Sequence, residues 1–193
     1  VATQTDNHRG DAGGHSVLFY RDGDELAGRV RTYLLEAIRA GGAALVIATR
    51  EHRDAIAGEL ARAGVDVAAC QAAGRYVALD AAQTMDRFMV ADWPSAASFW
   101  QVISPLVSRA AAAGAPVHAF GEMVALLWDF GQANAAIEVE AMWNELAAQY
   151  PFSLLCAYPV DSVSGEAHQD ALAEVCRLHT AVAGAPAGGP GRA

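Results

Sequence analysis

Short apolar runs alternate along this chain with longer segments whose apolar positions recur every three or four residues. The runs Ser16–Tyr20, Ala43–Ala48, Tyr76–Leu79, Ala115–Phe120 and Phe152–Tyr158 read as strands, and Val65–Ala69 as a shorter one. Continuous apolar runs of this kind suit parallel strands buried on both faces. Between them, Leu26, Val30, Tyr33, Leu34, Ala37 and Ile38 form the stripe of a helix packed on a sheet. Ile56 and Leu60 mark a second helix over about Arg50–Ala63. Met85, Phe88 and Met89 predict a third, ending near Asp92-Trp93-Pro94. Phe99, Val102, Ile103, Leu106 and Val107 mark a fourth, in which Pro105 is expected to make a kink or mark a break. A helical stretch after Gly121, broken at Gly131, carries Val139, Met142, Trp143, Leu146 and Tyr150. A last helix is expected over about Gly165–Ala183.

The punctuation agrees. Asp22 stands three residues before Glu25, Asp80 three before Gln83, and Thr49 and Ser95 precede helical stripes, all capping positions. Gly41-Gly42, Gly64 and Gly114 follow helix ends. Strands alternating with helices predict an α/β fold of three layers, a mostly parallel central sheet with helices on both faces. The expected organisation is a polar, disordered arm over 1–14, a domain over 15–182 and a disordered Pro/Gly/Ala tail over 183–193.

Composition narrows the function. The 193 residues are 53% hydrophobic and 18% charged, as in a globular chain with room for one full core. A net charge of -9 with no Lys/Arg cluster argues against direct nucleic-acid binding and against an anionic membrane surface. The three cysteines form no C-x-x-C pair. No apolar run reaches the roughly 20 residues of a membrane span, and the polar first residues contain no signal-peptide core, so a cytoplasmic location is expected.

Candidate chemistry gathers at the ends of strands, where open α/β sheets bind ligands. The first strand-to-helix turn, Tyr20-Arg21-Asp22-Gly23-Asp24-Glu25, has one glycine, no lysine and three carboxylates. A phosphate cradle needs the opposite, so ATP hydrolysis through a P-loop is not expected. Glu122 follows the Ala115–Phe120 run and is either a site carboxylate or a residue favoured by its helix dipole. His15 precedes the first strand as a proton-exchanging candidate. His118 reads as a core histidine, and His52, His168 and His179 as helix-surface residues. Cys156 reads as a small buried residue. Phe19, Tyr20, Trp128, Trp143 and Tyr158 either line an apolar pocket or pack the core. No His, Cys, Asp or Glu pair has zinc spacing, so no metal and no cofactor is expected.

In several of these residues the chain resembles the MEDS domain, the methanogen/methylotroph DcmR sensory domain. The matching features run in order: His15 with Phe19-Tyr20 and an acidic helix start; Tyr76–Asp80 leading to Met85 and Phe88-Met89; Gly121-Glu122-Met123 with Leu127-Trp128; Glu138; Trp143-Asn144; and Leu154-Leu155-Cys156-Ala157-Tyr158-Pro159. They span about residues 14–180. Gly131-Gln132 departs from the Gly-Asn of the pattern. The resemblance implies a RecA/KaiC-like sheet with a degenerate P-loop, and a cytoplasmic sensory module for small hydrocarbon derivatives. It also implies output through DNA-binding, histidine-kinase or anti-sigma modules, for which this chain has no room.

The expectation is therefore a non-catalytic sensory domain with a small, largely apolar ligand. His15, Phe19, Tyr20, Glu122, Trp128, Trp143 and Tyr158 are the expected ligand-binding residues, with Glu122 and His15 as polar anchors. A regulatory protein of kinase, anti-sigma or transcription-factor type is the expected partner, and a homodimer is left open. The rival readings are an enzyme using Glu122 and His15 as acid and base, and a protein-interaction scaffold on a degenerate ATPase fold.

Overall fold

The computed structural model describes residues 14–184. In chain order the elements are β1 (His15–Tyr20), α1 (Gly23–Arg39), β2 (Ala43–Ala48), α2 (Arg50–Arg62), α3 (Val67–Ala72), β3 (Tyr76–Asp80) and α4 (Ala81–Asp86). There follow β4 (Met89–Val90), β5 (Trp93–Pro94), α5 (Ala96–Ala111), β6 (Val117–Gly121), α6 (Met123–Asp129) and α7 (Ala133–Ala147). The chain continues with β7 (Ser153–Pro159), α8 (Val160–Val163), a 3-10 turn (Glu166–His168), α9 (Gln169–Leu178) and β8 (Ala181–Ala183). The arm expected over 1–14 and the tail expected over 183–193 lie outside the described residues, apart from Gly14 and residues 183–184.

The central sheet has six strands in the order β3-β2-β6-β7-β1-β8, all parallel, with helices on both faces. Alternation along β1 shows why two layers of helices are needed. Val17 and Phe19 enter a core shared with α4, α5, α6, α7 and α9, while Leu18 and Tyr20 enter one shared with α1 and α2. A strand that is apolar at every position has no face to give to water. Side-chain oxygens of Asp22, Thr49, Asp66, Asp80 and Ser95 each accept a backbone N–H at the start of a helix, which contributes about 1 kcal/mol apiece. Gly42, between α1 and β2, is held where a Cβ would lie 2.0 Å from the Pro116 carbonyl oxygen. Only glycine allows the two backbones that close.

The structure corrects four local expectations. Val65–Ala69 is not a strand, because the Asp66 side chain accepts the Ala69 N–H at 2.9 Å and starts α3. The helix holding Met85 ends at Asp86, and Met89 belongs to a short hairpin, β4–β5. Pro105 does not break α5, which runs through it. The last helix stops at Leu178 rather than near Ala183. Thr180 N–H then donates to His15 O at 2.7 Å and β8 pairs with β1, covering backbone groups that would otherwise form an open edge.

The hairpin turn puts Ala91 and Asp92 at φ 48° and 64°, the left-handed region that Asn and Gly adopt with less strain. The double substitution Ala91→Asn, Asp92→Gly is expected to raise stability by about 0.5–1 kcal/mol, read as a higher urea midpoint. An unchanged or lower midpoint would show that the turn is not strained.

Candidate functional site

Neighbouring strands β2 and β6 send their chains to opposite faces of the sheet, β2 into α2 and β6 into α6. At such a divergence α/β sheets bind ligands, in the crevice outside the carboxyl ends of the strands. Glu122 stands there. Its backbone N–H extends the β2–β6 ladder by donating to Ile47 O at 3.1 Å. Its side chain makes no bond to the helix it precedes, so stabilising its own helix end is not what orients it. It reaches across the crevice instead. Oε1 accepts the Thr49 N–H, and Oε2 lies 2.5 Å from His52 Nδ1.

Only 2% of the Glu122 surface is exposed, so this carboxylate depends on those partners. Its hydrogen bond raises the His52 pKa above the ordinary value, outweighing the opposing effect of burial. Tyr20, at the end of β1, meets the His52 ring edge-on at 6.1 Å. Burial, then the charges of Glu122 and Asp129, push the Tyr20 phenol well up, so the hydroxyl stays protonated. Further out, Arg53 Nη2 pairs with Asp80 Oδ2 at 3.0 Å at the end of β3.

The His52–Glu122 pair makes stability depend on pH. The folded state holds the His52 proton more tightly than the unfolded chain does. The contribution is therefore full below the unfolded pKa of about 6.5 and is lost as pH rises through the folded value. The melting temperature is expected to fall more from mildly acidic to mildly alkaline pH in the wild type than in His52→Gln. Equal slopes would remove the pair from the account.

Trp128 and Tyr158 lie at the same edge. Trp128 Nε1–H donates to Ser162 O in α8 at 3.0 Å, and its ring lies 5.5 Å from the rings of Tyr158 and His168. Phe19 stacks on Tyr158 at 6.1 Å. A surface cleft of about 400 Å³, lined in part by Glu36, Pro116, His118 and Phe152, opens at the opposite edge of the sheet. His118 there is a satisfied core histidine, with its Nδ1 2.7 Å from Tyr33 O and its ring stacked on Tyr33.

A second polar cluster lies between the sheet and α7. Glu140 is fully buried there. Its Oε1 accepts from the Tyr158 hydroxyl at 2.9 Å. Its Oε2 lies 3.2 Å from His15 Nε2 and 3.5 Å from His179 Nε2. Cys156 Sγ is 3.4 Å from the same His15 nitrogen. Burial works to raise the Glu140 pKa, but the two imidazoles outweigh it and hold the carboxyl well below its ordinary range. Burial and then Glu140 push the Cys156 thiol well up.

The expected single pocket thus divides. Tyr20 and Glu122 meet His52 in the crevice, and Phe19, Trp128 and Tyr158 form a contiguous aromatic group. His15 and Glu122 cannot anchor one ligand or act as an acid–base pair. Through Leu154 of β7, His15 is level with Ala119 of β6, two strands away, and its ring meets Glu140 and Cys156 while Glu122 meets Thr49 and His52. Trp143 packs between Phe99 and Phe152, at 5.3 and 6.0 Å. His52 and His179, expected on helix surfaces, each meet a buried carboxylate.

Glu140 went unread, although it interrupts the inward stripe of Ala136, Val139 and Trp143, an available signal. His52 stands three residues after the Thr49 cap, which points it back towards the strand end. His179 carried no signal, since its position depends on where α9 stops.

These features define an α/β domain with a polar site at a topological switch point. The chain matches the family model described as MEDS, the methanogen/methylotroph, DcmR sensory domain, over residues 14–180, and it belongs to that family. No curated protein matches it.

Proposed function

We propose that this chain is a non-catalytic sensory domain that binds a small, largely apolar molecule carrying one polar group. The proposed ligand class is that of short hydrocarbon derivatives. It sits over the carboxyl ends of β2, β6 and β7. The Glu122–His52 pair anchors its polar group, and Tyr20, Trp128 and Tyr158, backed by Phe19, form its apolar walls. Occupancy is passed to a regulatory protein of kinase, anti-sigma or transcription-factor type.

The observation that carries this reading is the orientation of Glu122. A buried carboxylate turned away from its own helix and across the crevice costs stability unless it is partnered, and its partners come from the neighbouring strand and helix. The family's sensory character supports the signalling role. A nucleotide is not the proposed ligand. In the first turn, Arg21 N–H donates to Glu25 Oε2 at 3.1 Å and Glu25 N–H to Asp22 Oδ1 at 2.8 Å, so the chain's own carboxylates occupy donors that a phosphate cradle would need.

A thermal-shift screen of short alcohols, halocarbons and carboxylates tests the reading, using wild type, Trp128→Ala and Glu122→Gln. A ligand present at 100 times its Kd stabilises the folded state by about 2.7 kcal/mol. Hits are expected to raise the melting temperature of the wild type, and much less that of either variant. Equal shifts in all three proteins would place the ligand elsewhere. Chemical conversion of a hit on prolonged incubation would favour an enzyme.

A further inference from the structure

We propose that His15, Glu140, Cys156 and His179 form a buried site for one divalent transition-metal ion of the zinc class. The inference is independent of the crevice and its ligand. The four residues come from β1, α7, β7 and the segment after α9, with His15 and Cys156 141 positions apart. No spacing motif could therefore reveal them.

The tautomers are fixed from outside the cluster. Asn144 Nδ2–H donates to Leu178 O at 3.0 Å, which turns Asn144 Oδ1 towards His15 Nδ1, 2.9 Å away. That nitrogen must then carry the hydrogen. His179 Nδ1 lies 2.6 Å from Val175 O, which can only accept, so it too carries the hydrogen. In the neutral rings both Nε2 lone pairs consequently face Glu140 Oε2. Among the described residues, Glu140 Oε2 and His179 Nε2 have no hydrogen-bond partner, although both side chains are at least nine-tenths buried. Two lone pairs and a carboxylate oxygen turned on one another, with a sulfur beside them, are a donor set that lacks an acceptor of electron pairs.

The spacing fits a metal. Bonds of about 2.0–2.3 Å in a tetrahedron require ligand atoms roughly 3.3–3.8 Å apart. The contacts at 3.2, 3.4 and 3.5 Å approach those edges, and all four ligand atoms lie within 4.8 Å of one another. The outer partners follow the pattern of metal-bound histidines and carboxylates, whose remaining polar atoms are held by hydrogen bonds. Here Asn144 and Val175 hold the two rings, and the Tyr158 hydroxyl holds Glu140. Two imidazoles, a carboxylate and a thiolate suit zinc, with cobalt as its spectroscopic substitute. Cys156 would bind as thiolate and release its proton on loading.

The test uses the full chain without a histidine tag, grown with added zinc and also refolded with Co²⁺. Elemental analysis after gel filtration is expected to find about one zinc per chain. The cobalt protein is expected to show tetrahedral ligand-field bands and a thiolate-to-cobalt charge-transfer band. The charge-transfer band should disappear in Cys156→Ser and persist in Cys176→Ser, whose cysteine is half-buried and lies outside the four-residue group. The wild-type measurements stand alone if a variant fails to fold. A wild-type chain folded by circular dichroism yet substoichiometric in both metals overturns the site in favour of imidazoles that share protons with Glu140. Persistence of the charge-transfer band in Cys156→Ser overturns the ligand assignment.

Discussion

Replacing Glu140 with alanine is expected to destabilise the fold by about 3–5 kcal/mol, the usual cost of breaking a buried ionic cluster by removing one partner. The carboxylate has no exposed surface, accepts the Tyr158 hydroxyl and faces both His15 and His179. Its loss strands three buried polar groups and leaves a cavity. Glu140→Gln is expected to cost less, since the amide oxygen still accepts from Tyr158 while the charge facing the imidazoles is gone. Urea denaturation with an unchanged slope reads both effects. A loss of under about 1 kcal/mol for Glu140→Ala, within the range of surface pairs, would show that the cluster contributes little to the fold.

Trp143→Ala is expected to cost about 3–5 kcal/mol as well, by a different route. Trp143 is 1% exposed and meets Phe99 edge-on and Phe152 at a tilt. Deleting it empties a large volume beside Phe99 of α5 and Phe152 before β7, and close-packed surroundings relax only in part over such a void. Trp143→Phe should restore most of the loss. Ligand affinity at the crevice, measured below the melting transition, is expected to change little in Trp143→Phe. A clear loss of affinity there would return Trp143 to the binding site.

Much of the fold was legible because the strongest signals were local. Ala43–Ala48 is apolar at every position and became a strand buried at every position. Caps such as Asp22, Thr49 and Asp80 act within three residues of themselves, so the sequence alone locates them. The misread segments were decided by features that the hydrophobic pattern does not show, the Asp66 cap that starts α3 among them. Residues 181–183 look like the end of a helix until the free edge of β1 offers them a partner. Met89 looks helical until the Ala91-Asp92 turn reverses the chain.

The site divides along the same line. Glu122 and Tyr20 were legible because a parallel sheet brings all strand ends to one edge. Aromatic side chains were legible as a set, but composition cannot separate Trp128, beside that edge, from Trp143, against Phe152 at the other end. His15 was noticed as a polar candidate, but its partners were not, and its ring meets Glu140 and Cys156 rather than the surroundings of Glu122. Its partners Glu140 and His179 are distant in the chain and come together only through the packing of α7 and α9 on the sheet.

The central claim is that a small ligand is held at the crevice beside Glu122. The chain has four tryptophans, so nitrogen-15 labelling yields a separate indole N–H resonance for each in a two-dimensional spectrum. A hit from the thermal screen, added to saturation, is expected to shift the Trp128 resonance and leave that of Trp143 in place. A saturating ligand that leaves Trp128 unmoved while shifting Trp143 would contradict the account.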